Sequence, residues 1–212
     1  MGQRVAVLTG EYDAAKQAKD WQRAASVAQQ LVELNATPKN LLLLGDAQQQ
    51  CHADNDALAT YGRAITQAEA EKPANGAPAA EWNEVLAKLY VSKGNALLRL
   101  KQTAEAIAAY HKSTEFAANP AVAYFNICVV LSNSGDMENG IAACQKSVQV
   151  DPGRADAWFI LGALGFANSK MDAHGNNLIS SETRQALGKY LELAPSGPHA
   201  ADVKAMLDMA VK

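Results

Sequence analysis

Apolar side chains recur every three or four residues along most of the chain, which is the spacing of an amphipathic helix. The stretch KSVQVDPGRADAWFILGAL, from Lys146 to Leu164, shows how one helix is separated from the next. Proline has no amide hydrogen to donate and disfavours helix in the residue before it, so Pro152 is predicted to end a helix at Asp151. The next helix begins within a few residues and carries Trp158 in its first turns. Comparable joints are marked by Pro38, Pro120 and Pro195. The pattern predicts a succession of short helices.

The same residue types return at a fixed interval of 34 positions. One slot is held by Tyr90, Tyr124 and Trp158, and the slot four residues later by Gly94, Cys128 and Gly162. An upstream copy, Leu41, Gly45, Ala57, Tyr61 and Ala64, matches Tyr90, Gly94, Ala106, Tyr110 and Ser113 with an offset of 49 residues. The excess of 15 residues falls between Glu69 and Asn83. Self-similarity of this period predicts a repeat protein, in which each unit buries its apolar face against the next.

These residues resemble the tetratricopeptide repeat, a helix-turn-helix unit of about 34 residues. Small residues at helix crossings allow close packing, and the predicted small pairs are Gly45 with Ala57, Gly94 with Ala106 and Cys128 with Gly140. Larger side chains are expected beside these contacts, namely Tyr61, Tyr110, Tyr124 and Trp158. The resemblance implies an all-α, right-handed superhelical solenoid, formed by a single domain over residues 1–212.

About five repeats are predicted, and their ranges are 4–36, 38–71, 79–118, 120–152 and 154–195. A loop is expected over 72–78, an insertion over 169–180 and a capping helix over 198–212. The third repeat has either one long first helix or a helix entered after the loop KPANGAP. This loop is either a hinge or an insertion tolerated at the surface.

Composition narrows the class of protein. Of the 212 residues, 49% are hydrophobic, which is enough for a sizeable core, and the scarcity of Val, Ile and Thr favours helix. A formal net charge of −3, with scattered Lys and Arg, argues against nucleic acid as a partner. No apolar run approaches the roughly 18 residues of a membrane span, and the N-terminus lacks the long apolar core of a signal peptide. The compartment stays open: the closing segment resembles the ends of bacterial tetratricopeptide proteins, many of them in the periplasm or envelope, and the cytoplasm is the alternative.

Stacked helix pairs place the first helix of each repeat on a concave side, where residues three or four apart share a face. The residues predicted to line this groove are Leu42, Asp46, Gln49, Val91, Asn95, Leu98, Phe125, Asn126, Val129, Phe159 and Phe166. The groove is polar with one acid at its N-terminal end and aromatic at its C-terminal end, so a peptide or protein segment is the predicted ligand. A second interpretation makes Phe159 and Phe166 core residues beneath the capping helix or the insertion.

One subtype of the family is not predicted. Tetratricopeptide domains that grip the C-terminal carboxylate of chaperones use Lys and Arg together with Asn on consecutive first helices. Asn95 and Asn126 resemble the asparagines of that clamp. Val91 stands where a lysine is expected, and the following helix offers only Asp156 and Ile160, so the cations are missing.

No motif predicts catalysis, a cofactor or a metal. The four histidines are isolated, without a second histidine at ligand spacing. Asp172 and His174 share a Gly-containing insertion, where they are either solvated or in contact with a metal or a partner. Cys51, Cys128 and Cys144 fit no metal spacing and are expected to be buried free thiols, although the last two fall on the two helices of one repeat and can approach each other.

The sequence therefore predicts a non-enzymatic scaffold that binds a peptide or protein segment in its groove. The alternative is a structural module that self-associates into a homo-oligomer, through the same apolar stripe or an exposed edge of the terminal repeats. Neither interpretation identifies the partner, because a repeat fold does not determine what is bound.

Overall fold

The structure is a computed structural model, and it describes residues 2–71, 77–174 and 176–210. Over these residues the chain forms eleven helices and one short hairpin. The helices are α1 (Gly2–Gln17), α2 (Trp21–Leu34), α3 (Pro38–Gln50), α4 (Asp54–Ala70), α5 (Ala77–Arg99), α6 (Thr103–Phe116), α7 (Ala121–Asn133), α8 (Met137–Val150), α9 (Ala155–Ala167), α10 (Ser181–Leu193) and α11 (Ala200–Asp208). The strands are β1 (Lys170–Met171) and β2 (Asn177–Leu178). The predicted all-α repeat fold is confirmed, while the right-handed superhelix stays a prediction.

The chain divides into two compact units, Met1–Ala118 and Asn119–Lys212. Unit 1 contains α1 to α6, and unit 2 contains α7 to α11 with the hairpin. Consecutive helices pack in pairs, beginning with α1 against α2 and ending with α9 against α10. The third pair has the long first helix, since α5 spans 23 residues. The predicted loop falls on the start of α5 and on residues 72–76, which lie outside the described residues, and the single domain stays a prediction.

Local chemistry explains where the helices begin and end. Thr37 caps α3 by accepting a 3.2 Å hydrogen bond from the Asn40 amide, and Pro38 occupies the first turn, where its missing amide hydrogen costs nothing. The same cap, from a side chain to the amide three residues later, is made by Asp20, Asp136 and Ser180. Helix α8 ends at Val150 and Asp151 is its C-cap, so the helix stops one residue before the end predicted from Pro152. None of the helices described over these ranges has the length and apolarity to cross a bilayer.

The turn inside each of the first four helix pairs uses a residue with left-handed backbone. Lys19, His52 and Lys101 have φ angles of 56°, 61° and 60°, and Gly135 has 82°. Each lies two residues after the end of a first helix. The left-handed region costs a residue with a side chain about 1 kcal/mol, whereas glycine enters it freely. Three of these four turns therefore carry a side chain at a position that suits glycine.

The crossing of two paired helices is filled by a glycine and a tyrosine. A Cβ added at Gly94 would lie 2.5 Å from a ring carbon of Tyr110, and Gly45 faces the ring of Tyr61 in the same way. The small-pair prediction is corrected in this respect, since ring atoms of Tyr61, and not Ala57, lie nearest to Gly45. Glycine is needed because the phenol ring occupies the space of its missing side chain.

In the fourth pair a disulfide occupies the same crossing. Cys128 and Cys144 are bonded to each other, so the expectation of free thiols is wrong for both, and Cys51 alone is free. The 16-residue separation of the two cysteines equals that of Gly94 and Tyr110.

A buried serine holds the second helix of two pairs against the first. Ser113 Oγ donates to the Ala87 carbonyl at 2.9 Å, and Ser147 Oγ donates to the Ala121 carbonyl at 3.0 Å. Both bonds span 26 residues, and the two serines are 34 residues apart. The repeat period thus extends to individual hydrogen bonds.

The end of unit 2 is closed by α11 and the hairpin. Leu187, Tyr190, Ala200 and Val203 form a buried cluster between α10 and α11. Strands β1 and β2 pair antiparallel, and the Asn177 amide also donates a 3.0 Å hydrogen bond to the Met209 carbonyl beyond α11. The predicted insertion is therefore a hairpin attached to the predicted capping helix.

Candidate functional site

Asp46, the acid of the predicted groove, has its carboxylate fixed by two hydroxyl groups. Its Oδ1 accepts hydrogen bonds from Tyr61 Oη at 2.7 Å and from Ser92 Oγ at 3.0 Å. Tyr61 lies on α4 of the same pair, whereas Ser92 lies on α5 of the next. The second oxygen, Oδ2, has no hydrogen-bond partner among the described residues and is not fully buried. The carboxylate thus joins three helices through one oxygen, and the other oxygen has no partner among the described residues.

The surroundings of Asp46 change the pKa values of this cluster. Burial raises the pKa of the Asp46 carboxyl above its ordinary value, and the hydrogen bonds from Tyr61 and Ser92 lower it part of the way back, as does the charge of Lys16. Burial and the Asp46 charge raise the pKa of Tyr12 to about 12 and move the pKa of Tyr61 higher still. Tyr61 therefore keeps its proton at physiological pH and is the donor in its bond to Asp46.

Asn95 on α5 repeats the arrangement one pair later. Its Oδ1 accepts a 2.7 Å hydrogen bond from Tyr110 Oη, and burial raises the pKa of Tyr110 to about 12. Asn95 precedes Tyr110 by 15 residues, as Asp46 precedes Tyr61. The Asn95 Nδ2 donor has no partner among the described residues and is not fully buried. The tyrosine fixes which way the amide points, so the amide hydrogens are directed away from the phenol.

We call the surface formed by Asp46, Ser92 and Asn95 the α3–α5 face. Ser92 and Asn95 are three residues apart on α5 and so lie on one side of that helix, and Ser92 contacts Asp46 directly. Tyr12 on α1 extends the contacts of α3, because its Oη donates to the Leu43 carbonyl at 3.2 Å. The face offers one acceptor, Asp46 Oδ2, and one donor, Asn95 Nδ2, on neighbouring first helices.

Two residues predicted for this part of the groove are buried instead. Leu42 is 8% exposed and Gln49 is 7% exposed, because α3 packs against α2, α4 and α5. The Nε2 atom of Gln49 has no hydrogen-bond partner and is sealed from solvent. Val91 and Leu98 are half-buried on α5. Leu42 and Gln49 are therefore removed from the set of candidate binding residues.

In unit 2 the predicted residues of α7 remain partly accessible. Phe125, Asn126 and Val129 are half-buried, and we call the surface they form the α7 face. The guanidinium carbon of Arg154 lies 5.3 Å from the ring centroid of Phe125, which is a cation–π geometry. An aromatic ring with a neighbouring guanidinium can contact apolar and anionic groups of a bound segment.

Phe159 is half-buried and packs against the core of the cap. Its ring stacks on the His199 ring with 3.8 Å between centroids, and the Tyr190 ring lies 5.6 Å away. It also packs against the cluster that contains Leu187. These contacts favour the second interpretation of Phe159, a residue beneath the cap, and its place in the groove stays a prediction. Phe166, near the end of α9, is half-buried and stays a candidate.

Sequence reasoning missed the polar residues that hold these faces in place. The predicted groove does not include Ser92, and the sequence predicts only a packing role for Tyr61 and Tyr110. Arg99, at the end of α5, forms an ion pair in which its Nε lies 2.8 Å from Asp54 Oδ1, and its guanidinium lies 2.6 Å from His52 Nδ1. The signal that could have found the tyrosine bonds is the constant 15-residue spacing from a polar residue to a tyrosine.

The residues singled out in the insertion stabilise their own loop. Asp172 Oδ1 accepts hydrogen bonds from the amides of His174 and Asn176, and Oδ2 accepts from the Asn176 side chain at 2.9 Å. The His174 side chain is exposed. Within the described residues, no three His, Cys, Asp or Glu side chains converge as metal ligands would. These three hydrogen bonds of Asp172 are those of a turn.

A cavity of about 480 Å³ lies beside the hairpin in unit 2. Its apolar lining comes from Ile141, Leu161 and Leu178, and its polar lining includes Lys170 and Glu182. None of the predicted groove residues lines it. This cavity is a separate feature from the α7 face.

Comparison with known proteins defines the class. The sequence model of the tetratricopeptide repeat family matches residues 87–120 and 121–154. Among solved structures, MamA (residues 41 to the end) from Desulfovibrio magneticus RS-1 is 18% identical, with 93% of this chain and 99% of that chain covered and a TM-score of 0.66. YrrB, described as a protein of this class with an unusual peptide-binding site, is 17% identical over 92% of this chain and 88% of that chain, with a TM-score of 0.60.

A tetratricopeptide repeat protein from Parabacteroides merdae is 12% identical over 98% of this chain and 75% of that chain, with a TM-score of 0.65. A comparison with curated protein sequences gives no match. The predicted resemblance is confirmed: residues 87–154 are tetratricopeptide repeats, and the chain has the all-α repeat fold of this class. Proteins of this class generally act as non-catalytic scaffolds that mediate protein–protein interactions.

Proposed function

We propose that this protein is a non-enzymatic scaffold that binds a peptide or protein segment on the faces of its first helices, and each unit offers a face of its own. In unit 1 the binding residues are Asp46 and Asn95 of the α3–α5 face, flanked by Val91 and Leu98. In unit 2 they are those of the α7 face together with Phe166. The partner is a protein or peptide, and the binding needs no cofactor.

The observation that carries the proposal is the fixed orientation of Asp46 and Asn95. Each has one oxygen held by a buried tyrosine, at 2.7 Å in both cases, and one atom that is not fully buried. An extended peptide presents amide hydrogens and carbonyl oxygens alternately along its backbone. Asp46 Oδ2 matches an amide hydrogen and Asn95 Nδ2 matches a carbonyl oxygen. Because the tyrosines already fix both side chains, binding costs little side-chain entropy.

The half-buried apolar residues add a second kind of contact. Val91 and Leu98 flank Asn95 on α5, and Phe125 is held beside Arg154 on the α7 face. Partly exposed aliphatic and aromatic side chains bury the apolar side chains of a bound segment, while polar groups fix its direction. The proposed ligand is therefore a segment with apolar side chains and an accessible backbone.

A selection of random peptides on the full-length protein tests the proposal. Selected peptides are expected to bind the Asp46→Ala/Asn95→Ala double variant at least about 10-fold more weakly, because two backbone hydrogen bonds are lost. The matched control is Gln29→Ala, which removes an exposed amide from a second helix. Fluorescence anisotropy gives the affinities, and circular dichroism verifies that each variant is folded. Equal affinity for wild type and double variant would contradict the proposal.

Self-association is the second candidate function, and the hairpin favours it. Met171, Leu178 and Met209 are 71%, 52% and 50% exposed. All three are near Asn177, which pairs with Met171 across the hairpin, precedes Leu178 and is bonded to the Met209 carbonyl. Light scattering of wild type and a Met171→Asp/Leu178→Asp variant separates the two functions. An oligomer lost in this variant supports self-association, whereas a monomer in both cases leaves peptide binding as the function.

A further inference from the structure

In the second, third and fourth helix pairs, the crossing holds two residues that are 16 positions apart in the chain. The second and third pairs use Gly45 with Tyr61 and Gly94 with Tyr110, and the fourth uses the disulfide of Cys128 and Cys144. The first pair has Tyr12 and Ala28 at this spacing, both buried, with the large residue on the first helix. In the fourth pair, two cysteines thus occupy the positions that one large and one small residue occupy in the other pairs.

The residue that follows the first-helix member of each crossing pair differs in the same way between the tyrosine pairs and the disulfide pair. Asp46 follows Gly45 and Asn95 follows Gly94, and both accept the hydroxyl of the tyrosine in their slot. Val129 follows Cys128 and has no acceptor in its side chain, where no hydroxyl needs one. In the fourth pair a covalent bond therefore replaces both the ring packing and the hydrogen bond.

We propose that the Cys128–Cys144 disulfide is a redox-sensitive lock on unit 2: when oxidised it fixes α7 against α8, and when reduced it releases this crossing while unit 1 stays folded. Two bonded sulfur atoms are about 2.05 Å apart, whereas unbonded sulfur atoms need roughly 4 Å. Both side chains are completely buried, so two thiols cannot separate without moving the helices. Unit 1 contains a single cysteine, Cys51, which is free, and tyrosine rings fill its crossings at Gly45 and Gly94.

The chemical step is thiol–disulfide exchange with a dithiol. One thiolate of the dithiol attacks a sulfur of the protein disulfide and forms a mixed disulfide, and the other cysteine leaves as a thiolate and takes up a proton. The second thiol of the reductant then attacks the mixed disulfide and releases the second cysteine. Two electrons and two protons pass to the protein, and the reductant becomes a disulfide.

The rate of thiol–disulfide exchange depends on the access of the dithiol to the buried disulfide. Because both cysteines are 0% exposed, a dithiol reaches them only when α7 and α8 separate. Reduction of the folded protein is therefore expected to be slow and to accelerate when denaturant opens unit 2. The inference does not depend on the proposed binding function, although α7 also carries Phe125, Asn126 and Val129.

Hydrogen–deuterium exchange of the full chain, with and without dithiothreitol, tests the lock. Alkylation after unfolding is first expected to modify one cysteine in the oxidised protein, Cys51, and three in the reduced protein. Reduction is expected to raise the opening of α7 and α8 on the order of 100-fold, the effect of a loop of about 15 residues closed by a disulfide, and to leave α3 and α4 unchanged. Three alkylated cysteines in the oxidised protein, or equal exchange in both states, would overturn the proposal.

The chain supplies its own matched control. The Cys128→Gly/Val129→Asn/Cys144→Tyr variant installs the residues of the third pair, and its exchange is expected to be slow and independent of dithiothreitol. The Cys128→Ala/Cys144→Ala variant is expected to exchange as fast as reduced wild type, with or without dithiothreitol. This second variant tests the proposal even if the triple variant misfolds. A Cys51→Ser variant retains the full effect of reduction. Slow exchange in the double-alanine variant would show that the disulfide is not what holds the crossing.

Discussion

Ser92 donates a 3.0 Å hydrogen bond to Asp46, and this bond joins the first helices of two successive repeats. Tyr61 donates to the same oxygen from the second helix of the earlier repeat. A single carboxylate therefore connects α3, α4 and α5 at the face proposed to bind a partner. Asp46 is therefore expected to affect folding as well as the proposed binding, and the experiments below separate the two effects.

Replacing Asp46 by asparagine tests the balance between burial and hydrogen bonding. Burial raises the pKa of Asp46, so its charged form is disfavoured in the folded state and its contribution to stability falls as pH rises through the folded-state pKa. The introduced amide oxygen would still accept from both hydroxyl groups without a charge. Urea unfolding at pH 7 is expected to show Asp46→Asn equal to wild type or up to about 1 kcal/mol more stable, and this advantage is expected to shrink toward pH 4. A loss of stability that is larger at pH 7 than at pH 4 would contradict the assignment.

Gly94→Ala tests the close contact at the helix crossing. The added Cβ would lie 2.5 Å from Tyr110, which requires the ring or the helices to shift. We expect a loss of about 1–3 kcal/mol in the free energy of unfolding, measured by urea denaturation. Gly62→Ala is the control, since no atom lies within 4 Å of its added Cβ, and it is expected to gain about 0.5–1 kcal/mol. Equal effects of the two substitutions would rule out the crossing as the cause.

The bond between Tyr110 and Asn95 is measured by a double-mutant cycle. Tyr110→Phe and Asn95→Ala each remove one partner of the 2.7 Å hydrogen bond. A coupling of about 0.5–1.5 kcal/mol in the free energy of unfolding is expected. Tyr110→Phe is also expected to weaken peptide binding, although the phenol hydroxyl itself is not proposed to touch the peptide. Additive effects on stability would show that the bond contributes nothing.

Lys101→Gly tests the left-handed turn after α5. Lys101 has a φ of 60°, in the slot where the next repeat has Gly135. Relief of this conformation is expected to raise the melting temperature, with a gain of about 0.5–1 kcal/mol. Lys101→Ala keeps the Cβ and is expected to give no gain. A stabilising effect of alanine equal to that of glycine would place the cause elsewhere.

The period of 34 residues predicts which residues occupy equivalent positions in successive repeats. It does not predict which residues of the two helices of a pair contact each other. Pro38 and Pro152 mark helix boundaries through their own backbone chemistry, so those predictions depended on no tertiary contact. The partner of Gly45 depends on the angle between two helices, and the ring of Tyr61 reaches it first. The disulfide was missed for the same reason, because two cysteines 16 residues apart in helices carry no spacing signal of their own.

The groove prediction is corrected at Leu42 and Gln49, which are buried, and the contacts of Phe159 lie outside the repeat period. Phe159 has the position of a groove residue, but His199 covers its ring from a segment that follows the last repeat. Asp46 and Asn95 lie on first helices, but helical periodicity alone does not predict their hydrogen bonds to tyrosine. Their role in binding stays a prediction.

Hydrogen–deuterium exchange of the full-length protein with a selected peptide is the most direct measurement of the proposed function. Saturating peptide is expected to slow exchange on α3 and α5 around Asp46 and Asn95, and the Asp46→Ala/Asn95→Ala variant is expected to lose that protection. Protection confined to the cavity beside the hairpin, or protection of α3 and α5 that persists in the double variant, would contradict binding at the α3–α5 face.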